Sequence, residues 1–447
     1  MKVVQLVPTL LFGDAVGNNV LTLDMILKQL GYESYIYTEN IGKRIDKDLV
    51  KYAHELEKLD EEDILLYHCA VESISMEKII KKQICKKVMI YHNITPAKFF
   101  EPYNVDIAKN VTAGREQLRR MSSLFDYVLA ASEYNKRDLI KEGYKCKIDV
   151  LPILVALSDY EKEPDYNLIK KFDDDYVNIL FVGRINPNKK QEDIIREFAY
   201  YHKYVNNKSR LFLVGSYDGM EIYYSTLVRY VAKLDLQDSV IFSGHISFAQ
   251  ILSYYHIADV FLCMSEHEGF CVPLVEAMKL KVPIIAYSEA AVPDTLGDSG
   301  IVVDRKDPKY ISSIIDVIVS DTEFKDRIIA AQSNKLKDYY FDTIAEKFRE
   351  YLEYIISETF NKESEYDCYV KGKLLTISIN DSDEKKILEY TVEDNFNSDD
   401  DIVVSTTLKQ KIKYKILKPV YKMLACINQP LADKIRACLY KINDMLK

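Results

Sequence analysis

Residues 258–288, ADVFLCMSEHEGFCVPLVEAMKLKVPIIAYS, hold one complete unit of the fold. The run ADVFLCM, 258–264, is short, continuous and apolar, as a strand covered on both faces requires. The segment SEHEGFCVPLVEAM, 265–278, then bends through Gly269 and enters a helix near Pro273, because proline is tolerated in a first helical turn, where its missing N–H loses no partner. A second apolar run, VPIIAYS, 282–288, follows. Strand, helix and strand in so short a space make the unit of a parallel sheet. The same segment sets a carboxylate on either side of its bend, Glu268 in the loop and Glu276 in the first turn of the helix. An acidic first turn is ordinarily a partner of the helix dipole. On local pattern alone, Glu276 therefore has both a structural and a functional reading.

The alternation continues outward. VNILFVG (177–183), SRLFLVG (209–215) and DSVIFSG (238–244) precede the unit as further buried strands. In the first third, KVVQLVP (2–8), SYIYT (34–38), DILLYH (63–68), KKVMIYH (86–92) and YVLAAS (127–132) alternate with helical patterns such as NNVLTLDMILKQLG. Between the two series lies a charged, interrupted stretch, VALSDYEKEPDYNLIKKFDDDY. At 447 residues the chain exceeds one hydrophobic core, and its 48% apolar content suffices for two. The expected architecture is α/β: two tandem Rossmann-like domains facing a cleft, at 1–154 and 177–334, joined by a linker at 155–176. A crossover helix at 335–358, an acidic connector at 359–407 and a basic amphipathic tail at 408–447 follow.

Composition removes several function classes. With 60 basic and 69 acidic residues, net charge −9, the chain lacks the cationic excess of a general nucleic-acid binder. Its eight cysteines are scattered singly, without a CxxC pair or a histidine at zinc-ligand spacing, and read as reduced thiols in a cytoplasmic protein. MKVVQLVPTL lacks the apolar stretch of a signal peptide, and no run of about 20 apolar residues spans a bilayer.

In an open parallel sheet, ligands bind outside the carboxyl ends of the strands. After the first strand comes FGDAVGNN, where Gly13 and Gly17 allow close backbone approach and Asp14 is placed to cap the next helix; a plain turn is the competing reading. Neither GxGxxG nor GxxxxGK[ST] is present. DILLYH and KKVMIYH place His68 and His92 at one sheet edge. His68 reads as a satisfied structural histidine, and His92, in YHNITPAKFF, as the functional one. In VGRINPNKK, Gly183 hinges a strand-end loop that carries Arg184 and Lys189, a pairing suited to phosphate or, alternatively, to surface solvation. The helix end near Pro273 adds unpaired N–H donors for an anion.

With these residues assembled, the chain resembles the retaining glycosyltransferases of GT-B architecture, family 4, over residues 1 to about 358. Glu268 through Glu276 resembles the family's E-x7-E motif, VGRINPNKK is similar to its VGR-x4-K loop, and residues 258–304 follow its donor-site stretch. The amino-terminal glycine loop and His92 fall where that family has an acceptor-side loop and an active-site histidine. The resemblance implies a nucleotide diphosphate sugar as co-substrate, Glu276 on the donor ribose, Glu268 facing the hexose, and Phe270 with the backbone of Cys271 and Val272 shaping the sugar pocket. It further implies Arg184 and Lys189 at the leaving diphosphate, and retention of anomeric configuration. Cys271 departs from the glycine of many members; it either narrows the pocket or packs as a small apolar residue.

The expected function is hexosyl transfer to an acceptor hydroxyl in cell-surface polysaccharide or glycolipid synthesis, without a cofactor or metal. The DxD patterns at 173–175, 381–383 and 399–401 lie in charged, linker-like context and read as solvated surface. A non-catalytic nucleotide-sugar-binding subunit of a synthase complex, and a GT-B phosphorylase or epimerase, are the alternatives. The tail carries ten Lys or Arg against Asp433 and Asp444, with Leu408, Ile412, Ile416, Val420 and Met423 at helical spacing. It reads either as helices packed on the protein or as a contact with an anionic membrane from its inner face, bringing the enzyme to a lipid-linked acceptor.

Overall fold

The computed structural model describes residues 1–358, Phe360 and the backbone of four later strands. Up to Glu358 the chain forms one compact unit. Its first sheet contains β1 (Lys2–Leu10), β2 (Glu33–Ile41), β3 (Val50–Tyr52), β4 (Ile64–Cys69), β5 (Lys86–Tyr91), β6 (Tyr127–Ala130) and β7 (Lys147–Val150). These are parallel, in the order β3-β2-β1-β4-β5-β6-β7. The second sheet contains β8 (Val177–Val182), β9 (Ser209–Val214), β10 (Val240–Gly244), β11 (Val260–Cys263), β12 (Ile284–Tyr287) and β13 (Ile301–Val303). It too is parallel, ordered β10-β9-β8-β11-β12-β13.

Burial explains why the runs form strands. β4, β6, β8, β9 and β11 are buried at every position, so continuous apolar sequence is what a sheet covered on both faces selects. The 258–288 unit folds as β11, the helix Val272–Lys279 and β12, with Phe261 opposite Ile284 and Cys263 opposite Ala286. Strand order reverses between β1 and β4 in one sheet and between β8 and β11 in the other. The loops leaving these four strands thus splay apart and open a crevice in each half.

The connecting segments are structured. Within the stretch read as a linker, Leu157–Glu161 forms a short 3-10 turn and Tyr166–Lys171 a helix capped by Asp165. The Asp165 amide donates to the Ala249 carbonyl, and Ser253 Oγ donates to the Asp165 carbonyl. Beyond the second sheet, the helix Phe341–Ser357 buries Ile344, Phe348, Leu352 and Ile355 along one face. It ends on the first half, where Lys86 Nζ donates to the carbonyls of Ile355 and Ile356 at 2.8 and 2.6 Å. A cation on the last carbonyls of a helix satisfies groups that have no partner within it and opposes its dipole.

After Glu358 a second unit begins. Ser364–Val370, Lys373–Ile379, Leu388–Thr391 and Ile402–Val403 form an antiparallel sheet. The stretch read as an acidic connector thus carries strands, for which the alternation of Leu375, Ile377 and Ile379 with Thr376 and Ser378 is the sequence signal. The acidic runs at 381–383 and 399–401 and the basic tail at 408–447 lie outside the described residues.

Phe348 is fully buried on the last helix of the first unit. Phe348→Ala is expected to lower the unfolding free energy by about 3–5 kcal/mol, read as an earlier midpoint in chemical denaturation; an unshifted midpoint refutes a packed crossover helix.

Candidate active site

The second crevice is built from the loops after β8 and β11. The first loop is sewn to the end of β9: the Gly183 amide donates to the Val214 carbonyl at 2.9 Å and Ile185 to Ser216 at 2.8 Å. This contact requires Gly215, since a Cβ there would lie 2.1 Å from the Gly183 carbonyl oxygen. Arg184 extends to the surface, with Nη2 donating to the Asp218 carbonyl at 3.0 Å. Pro187–Lys189 then makes a 3-10 turn that brings Lys189 back inward. Its ammonium donates to both oxygens of Glu268. Burial opposes the charge on Lys189, and the adjacent Glu268 carboxylate more than offsets that cost, holding the amine above its ordinary pKa.

The β11 loop is tied to the β8 loop by two bonds of 2.9 Å, from the Glu266 amide to the Asn188 carbonyl and from Asn188 Nδ2 to the His267 carbonyl. It also meets the first half. A Cβ on Gly269 would lie 2.5 Å from Asn93 Cβ and 2.7 Å from the His92 carbonyl oxygen. Ser132 Oγ donates to the Gly269 carbonyl at 2.7 Å, and His267 Nε2 lies 2.7 Å from Asn93 Oδ1. Together these loops enclose a cavity of about 310 Å³ whose walls include His92, Gly183, Arg184, Lys189, Glu268 and Gly269, with Asn93, Thr95, Asn186, Asn188 and His267 beside them.

Other sequence candidates stand elsewhere. Phe270 is buried, its ring edge-on to Tyr339, and Cys271 is buried in a left-handed backbone conformation with φ +72°. Neither lines the cavity, so Cys271 packs as a small residue in place of narrowing it. Val272 opens the helix. Glu276 is corrected in position: the helix begins at Val272, which moves Glu276 beyond the first turn and away from the dipole's amino-terminal end. Its partners are two phenols, Tyr160 from the linker and Tyr255 at 2.7 Å, one on each carboxylate oxygen. Burial raises the Glu276 pKa, and the two hydroxyls act against that rise.

In the first half, Asp14 caps the helix Ala15–Gln29 through the Gly17 amide at 2.5 Å. A Cβ on Gly17 would lie 1.7 Å from the Leu11 carbonyl oxygen, and Gly13 has φ +90°, so both glycines serve a chain that doubles back on its own helix. These three residues sit at the β1 edge of the first crevice, outside the cavity walls. His92 follows β5; its Nε2 lies 3.0 Å from His68 Nδ1, and His68 Nε2 lies 2.9 Å from Gln5 Oε1. Desolvation pushes the His92 pKa down to about 4.

His267, Gly215, Asn188, Tyr160, Tyr255 and Gln5 were not signalled as functional by the sequence. His267 lies inside the motif stretch itself, between Glu266 and Glu268, where it could have been considered. The others gain meaning only from partners distant in the chain.

Residues 164–335 match the family model described as "Glycosyl transferases group 1". The chain carries a group 1 glycosyl transferase domain. Among curated relatives, the domain's chain is 25% identical over 260 residues to alpha-monoglucosyldiacylglycerol synthase of Streptococcus pneumoniae, covering 56% of this chain and 57% of that one. It is 23% identical over 220 residues to O-antigen chain mannosyltransferase B of Escherichia coli, covering 48% and 57%. It therefore spans little more than half the length of these relatives. In fold, the chain is similar to sucrose-phosphate synthase from Thermosynechococcus elongatus, with TM-score 0.62, 15% identity, 80% of this chain and 100% of that one. It is likewise similar to Anabaena HepE in complex with UDP, with TM-score 0.61, 18% identity, 79% and 100%. The two sheets and their facing crevices are thus those of the GT-B architecture.

His267 shares the depression of His92, again to about 4 and mainly by desolvation. Both stay neutral in the folded state well below 6.5, where the unfolded chain takes up protons. Their contribution to stability is therefore complete above pH 6.5 and lost as the pH falls toward about 4, by up to about 1.4 kcal/mol per group per pH unit. Calorimetry of the wild type and His267→Gln between these limits should give a shallower pH dependence in the variant; parallel curves refute a buried neutral His267.

Proposed function

We propose that this protein transfers a hexosyl unit from a nucleotide diphosphate sugar to an acceptor hydroxyl, with retention of configuration, in cell-surface polysaccharide or glycolipid synthesis. The observation that carries the reading is the convergence, in one cavity of a group 1 domain, of Arg184 and the Lys189–Glu268 pair from loops at a sheet's reversal point. Breaking an anomeric bond builds negative charge on the departing phosphate, and cations fixed in advance lower that barrier. Lys189 is held charged by Glu268, and Arg184 is anchored by the Asp218 carbonyl at the open side. Glu276 binds the donor ribose: each of its oxygens already takes one tyrosine hydroxyl and retains capacity to accept another. The acceptor approaches from the first half, on the side of His92 and the Gly13–Gly17 loop, and attacks the face from which the phosphate leaves.

Similarity to an alpha-monoglucosyldiacylglycerol synthase and to an O-antigen chain mannosyltransferase supports a glycan or lipid-linked acceptor. No helix among the described residues is long and apolar enough to cross a membrane. In this proposal the basic segment 408–447 brings the enzyme to the inner face of the membrane. The reaction needs no bound metal. Of the DxD patterns, Asp174 and Asp175 at 173–175 are engaged by Arg210 and Lys208, which supports a surface role for that run.

Incubation with UDP- and GDP-hexoses should raise the melting temperature with one of them and release nucleoside diphosphate only when acceptor is glycosylated. Stabilisation without turnover favours the non-catalytic binding subunit. Arg184→Ala and Lys189→Ala should each raise the barrier by about 2–4 kcal/mol at saturating donor. Near-normal turnover in both removes the assignment, and loss of activity in EDTA that Mn restores removes metal independence.

A further inference from the structure

We propose that Gln5 and His68 are positioning residues, which through a directed chain of hydrogen bonds hold His92 with its proton on Nε2 and its lone pair on Nδ1, where a sugar hydroxyl in the cavity donates to it. The inference rests on the glycosyl-transfer reading for the identity of the hydroxyl, and on geometry alone for the relay.

The direction is set at the far end. Gln5 Nε2 lies 3.1 Å from the Val20 carbonyl, an acceptor only, so the amide must face it with its NH₂. Gln5 Oε1 is then the atom 2.9 Å from His68 Nε2, and as an acceptor it requires a proton there. A neutral His68 with its proton on Nε2 has an acceptor at Nδ1, 3.0 Å from His92 Nε2, so His92 must donate through Nε2. Its remaining nitrogen, Nδ1, is unprotonated. That atom is buried and has no hydrogen-bond partner among the described residues, although the ring lines the cavity. A buried acceptor left unpaired is costly, and a ligand hydroxyl would satisfy it.

A doubly protonated His68 would reverse the chain and place the proton of His92 on Nδ1. Gln5 and His68 are both fully buried, Gln5 and His92 are the only side-chain hydrogen-bond partners of His68 among the described residues, and desolvation followed by the neighbouring His92 depresses its protonation. The neutral form therefore prevails, and the choice between two tautomers of His92 is made on β1, three side chains from the cavity. His92 touches the ligand; Gln5 and His68 act through it.

The test is nitrogen-15 NMR of the full chain labelled at histidine, without any substrate. The wild type should show both His68 and His92 protonated on Nε2 only. Gln5→Met removes the acceptor that orders the chain and should produce a mixture of the two tautomers at both rings. Gln5→Glu, whose buried carboxyl in its protonated form donates to the Val20 carbonyl and accepts from His68 Nε2, should restore the single tautomer. A wild-type His92 protonated on Nδ1, or a spectrum unchanged in a folded Gln5→Met protein, overturns the relay. Should Gln5→Met fail to fold, the wild-type and Gln5→Glu spectra decide it. In turnover, Gln5→Met should lose about 10-fold in kcat with donor KM unchanged, recovered by Gln5→Glu. An equal loss in both variants assigns Gln5 a packing role and overturns the proposal. Correct tautomers in a protein that turns over no sugar would instead count against the glycosyl-transfer reading.

Discussion

The site depends on a gap too narrow for a methyl group. Gly269, on the loop after β11, lies against the His92 carbonyl and Asn93, and any side chain there would collide with backbone. Asn93 accepts this proximity in a left-handed conformation, φ +86°, which frees its Nδ2 for Asn135 and its Oδ1 for His267. Ser132 and Tyr134, which follow β6, complete the contact through the Gly269 carbonyl and the Asp294 carboxylate. Residues from two independently wound sheets are thereby brought to one cavity. His92 shares walls with Lys189 because this contact is made without a Cβ.

Within the cavity, charge has been placed at a cost. A buried ion pair such as Lys189–Glu268 surrenders hydration on both sides, and its mutual attraction seldom exceeds what well-packed apolar residues would give. Its value lies in what it fixes: an ammonium kept charged and bound to a rigid carboxylate, on a turn that Asn188 and Glu266 pin in place. Arg184 is the complement, an exposed guanidinium held at one nitrogen. One cation is locked in the wall and the other stands at the mouth, an arrangement suited to an anion that enters, reacts and departs.

Legibility in the sequence followed burial. Interior strands such as β4, β8 and β11 announce themselves as continuous apolar runs because both faces are covered. The strands that the alternation passes over are β3, β7 and β13, all at sheet edges, short, and mixing charges or exposed positions into their runs. Edge strands need only one neighbour and carry correspondingly weak patterns. Arg184, Lys189, Glu268 and His92 were legible because strand-end loops are where a parallel sheet gathers ligands. The position of Phe270 and Cys271 in the core was not, since local sequence does not say which way a loop residue turns. Nor were Tyr160 and Tyr255, whose pairing with Glu276 spans 116 and 21 residues of chain.

That pairing changes the meaning of the linker. A charged, interrupted stretch between two domains suggests a passive hinge, yet here its 3-10 turn delivers a phenol to a carboxylate of the second half, and Lys279 on the same helix pairs with the neighbouring Glu161. Further along, Lys86 of the first half holds the last helix of the unit by its final carbonyls. Both crossings between halves therefore end on polar contacts that are specific in position and modest in energy. They fix the register of elements that apolar side chains, such as Phe348 and Leu352 on the last helix, already hold in place. Because Tyr160 of the linker and Tyr255 of the second half donate to the two oxygens of one carboxylate, the position of the linker is tied to the helix that carries Glu276.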